Sequence, residues 1–203
     1  MVNGRSTLLF SMTDGITLGS ARTIRWAAVV FMTVLTAAAA QVSVPLPFTP
    51  VPLTLQPMVV LLGGAALGSR LGFSSQVLYL LAGLAGLPVF AASPALPQGA
   101  LRLIGPTGGF LLAYPLAAFV AGRLAERGFD RRYLTSVLAM AAGLAVIFAG
   151  GLSWLTVQLA PVAGAQAFQA ALQAGLYPFV LVDVVKLFVA GAVLPGVWKL
   201  IGR

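Results

Sequence analysis

The sequence has no cysteine and no histidine, and only four of its 203 residues are acidic. These absences exclude thiolate and imidazole metal sites, a cysteine nucleophile and a Ser–His–Asp triad. A metal held by carboxylates alone is not expected either, because the chain has so few of them. We therefore expect no catalytic residues, no metal and no cofactor, and a protein that is not an enzyme.

Charge of either sign is scarce, and apolar residues dominate. Only 8% of the residues are charged while 60% are hydrophobic, and the mean hydropathy is +1.01. This composition is typical of an integral membrane protein, so the lipid bilayer is an expected partner. The net charge of +8 does not indicate nucleic-acid binding, because the basic residues are not clustered among aromatic or polar groups.

Six apolar segments predict an all-α integral membrane protein with six transmembrane helices, since about 20 residues span a bilayer. The segments are Thr23–Val42, Leu55–Ser69, Leu71–Leu87, Thr107–Ala125, Tyr133–Leu159 and Leu176–Leu200. The second and third are almost continuous, which predicts a tight helical hairpin. Both are rich in glycine and alanine, which allow helices to approach closely in lipid.

Residues 1–22 predict a short cytoplasmic lead, followed by a single transmembrane domain over residues 23–203. Arg22 and Arg25 precede an apolar run that ends in small residues, a pattern that also fits a cleavable secretory signal. We favour an uncleaved first transmembrane helix over that alternative.

The basic residues lie at one end of the predicted spans. They are Arg5, Arg22, Arg25, Arg70, Arg123, Arg127, Arg131, Arg132, Lys199 and Arg203. The connections at the opposite end carry no charge except Arg102. By the positive-inside rule, both termini are predicted to be cytoplasmic and the protein to be a multi-pass protein of the cytoplasmic membrane.

Asp183 and Lys186 stand inside the last apolar segment. An ionisable residue at membrane depth costs about 2.5–3.5 kcal/mol on insertion scales, so it normally faces a protected cavity and has a function. The i, i+3 spacing places both side chains on one helical face. The pair is the best candidate for a ligand site, and the alternative is that the two charges only neutralise one another.

Two external connections have unusual composition. Four prolines between Pro45 and Pro52 exclude a helix, and this stiff, apolar segment predicts a lid or re-entrant segment rather than a solvated loop. The alternative is a rigid interfacial loop. Glycines in the segment from Gly105 to Gly109 allow a ligand to approach the backbone just before a helix N-terminus. As a phosphate cradle the motif is weak, because it lacks the lysine and spacing of a P-loop.

Four segments, residues 45–56, 78–90, 105–110 and 178–186, resemble in order the motifs of the BioY biotin transporters. The BioY proteins are substrate-binding S components of energy-coupling-factor (ECF) transporters. The resemblance runs from about Ala27 to Lys199. It implies a six-helix membrane protein that binds biotin near its external face.

The resemblance also implies partners, namely a transmembrane coupling subunit and two ATPases, although some family members work without a dedicated ATPase module. This chain has no Walker motif, so ATP hydrolysis would belong to the partners. The family's small-residue pattern on the first helix is met only loosely, by Thr33 with Ala37 and by Thr36 with Ala40. Docking to the coupling subunit through that face is therefore a weaker expectation.

Biotin has a ureido ring, an apolar thiolane and valeryl chain, and a carboxylate. Asp183 is suited to accept from the ureido N–H groups, and Lys186 to donate to the ureido carbonyl. Arg102, expected in water at the mouth of the pocket, is suited to pair with the carboxylate through its planar fork. The alternative for Arg102 is an idle surface residue.

Five further residues complete the predicted site, and each has an alternative. Trp154 walls the ring system or belongs to an interfacial aromatic belt. Tyr79 is favoured over Gln76 as a polar contact from the third segment. Gln56, with Thr54, contacts the ligand or caps a helix. Gly105 and Thr107 contribute from the glycine-rich segment.

Three other functions remain as alternatives. An S component for thiamin is disfavoured, because a cationic ligand calls for acidic and aromatic residues, whereas the one buried acid is paired with a lysine; riboflavin is a further vitamin of this class. A membrane-embedded enzyme would have only Asp183 and Lys186 as its acid–base pair and no evident nucleophile. A structural scaffold would leave the cost of two buried charges unexplained.

Overall fold

A computed structural model of the protein describes residues 7–13, 17–92 and 97–200. Nine α-helices occur in these residues: α1 Leu8–Thr13, α2 Leu18–Gln41, α3 Gln56–Leu67, α4 Ser69–Leu84, α5 Ala100–Ile104, α6 Gly108–Ala125, α7 Tyr133–Ala163, α8 Ala167–Gly175 and α9 Tyr177–Leu200. Two short strands, β1 Ser43–Val44 and β2 Leu53–Thr54, pair antiparallel. Single 3₁₀ turns occupy Phe129–Arg131 and Gly164–Gln166.

Four helical stretches of the described chain are long and apolar enough to cross a membrane. They are Gly19–Gln41, Gly108–Ala125, Tyr133–Gly175 and Tyr177–Leu200. Helix α3 is apolar but shorter, at 12 residues, or about 18 Å at 1.5 Å per residue. The protein is therefore an all-helical, multi-pass membrane protein. Arg5 and Arg203, which contributed to the predicted topology, lie outside the described residues.

The predicted helical hairpin is formed by α3 and α4. Helix α3 ends at Leu67 and α4 begins at Ser69, with Gly68 between them at φ +89°. Only glycine adopts such a conformation without strain. One residue is therefore enough to reverse the chain.

Helices α3, α4 and α6 meet at backbone distance. A Cβ on Gly64 would lie 2.3 Å from the carbonyl oxygen of Ala118, and one on Gly72 would lie 2.7 Å from the Cα of Gly64. These contacts confirm the prediction that small residues allow the hairpin to pack closely.

The segment 160–175 differs from the predicted connection. Helix α7 continues through Pro161 to Ala163, and α8 occupies Ala167–Gly175. Helix α8 packs against the rest of the protein through buried Ala167, Ala171 and Gly175, which is consistent with the absence of charged residues in this segment. The connection between the predicted fifth and sixth spans is therefore itself mostly helical.

Part of the predicted cytoplasmic lead is folded. Helix α2 begins at Leu18, earlier than predicted, and α1 buries Ser11 and Thr13. The Arg25 guanidinium lies 4.4 Å from the centre of the Phe10 ring and donates to the Thr13 hydroxyl at 3.5 Å. Helix α1 is thus held against the start of α2.

Two carboxylates connect helices at the end of the bundle that carries most basic residues. Glu126 accepts hydrogen bonds from the Ser69 backbone N–H at 2.8 Å and hydroxyl at 2.7 Å, and pairs with Arg123 at 3.0 Å. Burial opposes ionisation of Glu126, yet the bonds from Ser69 and Arg123 hold its pKa below the ordinary value. This carboxylate therefore joins the start of α4 to the end of α6.

The second carboxylate, Asp130, accepts a hydrogen bond from the Trp198 indole N–H at 2.7 Å. The Arg131 guanidinium lies 3.9 Å from the Trp198 ring centre. Burial raises the pKa of Asp130, and the Trp198 bond only partly offsets this effect. The end of α9 is thereby fixed to the turn before α7.

Candidate functional site

The two charges of the last span form an ion pair inside the bundle. Lys186 Nζ lies 2.8 Å from Asp183 Oδ1, and the two side chains are 11% and 7% exposed. Nζ also donates to the Thr54 carbonyl oxygen at 2.6 Å. The predicted pairing on one helical face is confirmed, and Lys186 additionally joins α9 to β2.

Two adjoining cavities lie beneath the proline-rich segment 45–52. Their volumes are about 40 and 50 Å³ and both are partly open to solvent, so in this conformation they are smaller than the usual small-molecule site. Both are lined by Val51, Pro52, Thr54, Phe110 and Tyr114. We call the one that reaches Asp183 and Lys186 the acid–base cavity, and the one that reaches Arg102 the arginine cavity.

The proline-rich segment covers both cavities. Pairing of Ser43 with Thr54 and of Val44 with Leu53 holds its two ends together. At the far side the Thr49 hydroxyl donates to the Ala174 carbonyl oxygen at 2.5 Å, which attaches the segment to α8. The segment is non-helical, as predicted, and its residues Val51 and Pro52 line both cavities.

Arg102 lines the arginine cavity but is not exposed to water. It is 2% exposed, and its guanidinium donates to the carbonyl oxygens of Pro97 at 2.8 Å and Ala91 at 2.6 Å. The expectation of an open, water-screened Arg102 is wrong, because the chain at Ala91 and Pro97 folds over it. Burial lowers the pKa of Arg102.

Gln56 and Tyr79 have different positions relative to the arginine cavity. Gln56 lines it and donates to the Tyr79 hydroxyl at 2.7 Å. Tyr79 is fully buried behind Gln56 and donates to the Val89 carbonyl oxygen at 3.2 Å. The Thr54 hydroxyl accepts from the Gln56 backbone N–H at 3.3 Å. Thr54 therefore lines both cavities, and its hydroxyl also accepts from the first residue of α3.

The glycine-rich segment contributes one side chain to the arginine cavity. Thr107 lines it, and its buried hydroxyl has no hydrogen-bond partner among the described residues. A buried polar group left unpaired costs about 1–3 kcal/mol, so a ligand atom there would satisfy it. Gly105 does not line either cavity; its carbonyl oxygen accepts from the Trp154 indole N–H at 2.9 Å.

Trp154 lies outside both cavities, contrary to the expectation that it walls the ligand. Its Cβ would be 2.1 Å from a Cβ on Gly109, so the indole packs against the start of α6. The neighbouring Gln158 side chain donates to the Ile104 carbonyl oxygen. These contacts hold the glycine-rich segment on α7, and the role of Trp154 is therefore indirect.

The polar residues of α2 and α4 form a separate buried seam. Gln76 donates to the Thr36 hydroxyl at 3.2 Å, and the Thr33 hydroxyl donates to the Ser75 carbonyl oxygen at 2.9 Å. Thr33, Thr36 and Ala40 are all buried. The loosely matched small-residue pattern on α2 thus faces the bundle, and it does not form an outward docking face. Gln76 lies in this seam, and neither Gln76 nor Tyr79 lines the acid–base or the arginine cavity.

Sequence reasoning missed the aromatic residues that line the cavities. Tyr114 and Phe110, four residues apart on α6, line both, and Phe179, four residues before Asp183, lines the acid–base cavity. The signal was present in each case, because i, i+4 spacing places a side chain on the same helical face as its neighbour.

Comparison with known proteins completes the description of the site. The model of the BioY family matches residues 11–203. The chain belongs to the BioY family. A probable biotin transporter BioY of Pyrococcus horikoshii is 42% identical over 152 residues, which cover 75% of this chain and 82% of the relative. The biotin transporter BioY of Thermotoga maritima is 37% identical over 73% of this chain and 81% of the relative.

The fold also has a solved counterpart. The crystal structure of the S component for biotin from an ECF-type ABC transporter superposes with a TM-score of 0.76 and covers 91% of this chain and 95% of the counterpart. Sequence identity is only 23%, so this likeness concerns the fold. The BioY family assignment rests on the family model and the sequence relatives.

Proposed function

We propose that this BioY family member binds biotin and takes it up across the cytoplasmic membrane as the S component of an ECF transporter. The observation that carries the proposal is the Asp183–Lys186 pair, which lines an apolar cavity beneath the proline-rich segment. The names of the BioY relatives identify biotin as the ligand with matching chemistry. The protein is accordingly a transporter and not an enzyme.

The two cavities match the two ends of biotin. The ureido ring occupies the acid–base cavity, where Asp183 accepts from N–H groups and Lys186 donates to the carbonyl. The thiolane and valeryl chain lie against Phe110 and Tyr114, which line both cavities. The carboxylate reaches Arg102, and the Thr107 hydroxyl supplies a further donor.

The proline-rich segment acts as the lid over this ligand. Lys186 contacts Thr54 in β2, so a ligand that engages Lys186 is coupled directly to the lid. Gln56, two residues after Thr54, donates to the Tyr79 hydroxyl at 2.7 Å and supports the same end of the lid. Binding of the ureido ring is thereby expected to favour the closed position.

The topology we propose has six transmembrane helices, α2, α3, α4, α6, α7 and α9, with both termini in the cytoplasm. The lid then lies on the external side, where the vitamin arrives. A transmembrane coupling subunit and ATPases act as partners at the cytoplasmic side. Because the chain has no Walker motif, these partners carry out ATP hydrolysis.

Equilibrium binding of radiolabelled biotin to the purified protein tests the proposal. We expect saturable binding at one site per chain, displaced by unlabelled biotin and unaffected by thiamin or riboflavin. Displacement by either of those vitamins in place of biotin would support a different S component. Chemical conversion of recovered biotin would support the enzyme alternative.

A further inference from the structure

A third concave region lies on the outer surface between α4 and α6, away from the two ligand cavities. It holds about 450 Å³ and is lined by Arg70, Phe73, Ser74, Leu116 and Phe119. None of these residues lines the acid–base or arginine cavity. We call it the α4–α6 groove. Its three large apolar side chains are 37–53% exposed, as expected of a surface that faces lipid.

One end of the groove carries an unneutralised positive charge. Ion pairs in the described part of the chain are Arg123 with Glu126 and Lys186 with Asp183, and neither includes Arg70. The two oxygens of Glu126 are occupied by Ser69 and Arg123. The Ser74 hydroxyl donates to the backbone oxygen of Arg70 at 2.9 Å, so it does not compete for the guanidinium. The exposed Arg70 lines the groove and has no carboxylate partner among the described residues.

With the topology proposed above, the groove begins at the cytoplasmic membrane surface and extends into the hydrocarbon. Arg70 is the second residue of α4, next to the Glu126 contact that joins α4 to the end of α6. Leu116 lies nine residues before Ala125, the last residue of α6, a rise of about 14 Å. A cation at the interface with an apolar channel beneath it matches the shape of a phospholipid.

We propose that the α4–α6 groove binds an anionic phospholipid. Its phosphate pairs with Arg70, whose guanidinium fork suits two phosphate oxygens. One acyl chain lies against Phe73, Leu116 and Phe119. Anionic lipids are favoured because the cytoplasmic leaflet's negative headgroups attract arginine near the surface, whereas a choline group would bring a second positive charge to the same place.

Native mass spectrometry of the purified protein, with equimolar phosphatidylglycerol and phosphatidylcholine of identical chains, tests this site. We expect the wild-type protein to retain phosphatidylglycerol several-fold more than phosphatidylcholine. Arg70→Gln is expected to abolish that preference. Arg127→Gln, which removes an exposed arginine outside the groove, is the matched control and is expected to keep it.

A second variant leaves the charge in place and fills the groove. Leu116→Trp is expected to reduce retention of both lipids by several-fold, and it tests the site even if Arg70→Gln does not fold. Equal losses in Arg70→Gln and Arg127→Gln would overturn the proposal, since the effect would then come from general surface charge. Unchanged retention in Leu116→Trp, or no lipid preference in the wild-type protein, would overturn it as well.

Discussion

The carboxylate contact of Arg102 gives the most discriminating prediction about the ligand's orientation. The guanidinium is almost fully buried at the edge of the arginine cavity. A hydrogen bond to a charged group contributes about 1.5–3 kcal/mol. Because the guanidinium is 2% exposed, that range applies here in place of the smaller value for exposed ion pairs. It corresponds to a factor of about 10–150 in affinity.

Arg102→Ala alone is not a clean test, because the guanidinium also holds the carbonyls of Ala91 and Pro97. Loss of the guanidinium will loosen the segment that contains Ala91 and Pro97, and this will weaken the binding of every ligand. Biotinamide, which has the same rings and chain but no charge, removes this complication. Damage to the segment affects both ligands equally, whereas loss of the carboxylate contact affects biotin alone.

The assay is the ratio of dissociation constants for biotinamide and biotin, measured by isothermal titration calorimetry. We expect a ratio of about 10–150 in the wild-type protein and a ratio near one in Arg102→Ala. Arg102→Lys, which keeps the charge but loses the planar fork, is expected to lie between them. A ratio that Arg102→Ala leaves unchanged would refute the carboxylate role and leave Arg102 as a residue that shapes the segment.

Three further predictions follow from the fold. Val51 lines both cavities beneath the lid, so biotin is expected to protect the thiol of Val51→Cys from a water-soluble reagent. Phe48 is 66% exposed on the lid, so Phe48→Cys is expected to react equally with and without biotin. Equal labelling of Val51→Cys in both states would count against a lid. Gly64→Ala is expected to lower the melting temperature in detergent, since its Cβ would lie 2.3 Å from the Ala118 backbone oxygen; an unchanged melting temperature would show that α3 and α6 can separate freely. Because burial raises the pKa of Asp130 above its ordinary 3.8, the folded state holds its proton more tightly, so stability is expected to fall as the pH rises above that value. Asp130→Asn is expected to flatten the dependence of stability on pH in this range. The same change of stability with pH in the variant and the wild-type protein would contradict the assignment.

The sequence predicted those features that depend on local pattern. The Asp183–Lys186 contact follows from helical spacing. The tight hairpin follows from two apolar runs that are almost continuous, although the chain reverses at Gly68 and not at the predicted break beside Arg70. The non-helical segment from Pro45 to Pro52 follows from the chemistry of proline. In each case neighbours along the chain decide the structure, so no knowledge of the tertiary contacts was needed.

The features that sequence reasoning missed depend on distant contacts. Trp154 is directed away from the cavities by a hydrogen bond to Gly105, 49 residues earlier. Arg102 is buried because the Ala91 carbonyl, 11 residues before it, folds over the guanidinium. Neither contact produces a periodic pattern in the sequence. Without knowledge of these partners, a lone arginine in an otherwise uncharged connection is predicted to be solvent-exposed.

The central claim is that Asp183 and Lys186 bind the ligand and do not merely neutralise one another. Removing both charges together, in the double variant Asp183→Asn with Lys186→Met, separates the two roles because no unpaired charge is left in the bundle. The measurement is biotin affinity of the folded double variant beside Asp130→Asn, a matched loss of a buried carboxylate at the other end of the bundle. We expect the double variant to bind biotin at least about 10-fold more weakly, with Asp130→Asn unchanged. A folded double variant that binds biotin with wild-type affinity would contradict the account.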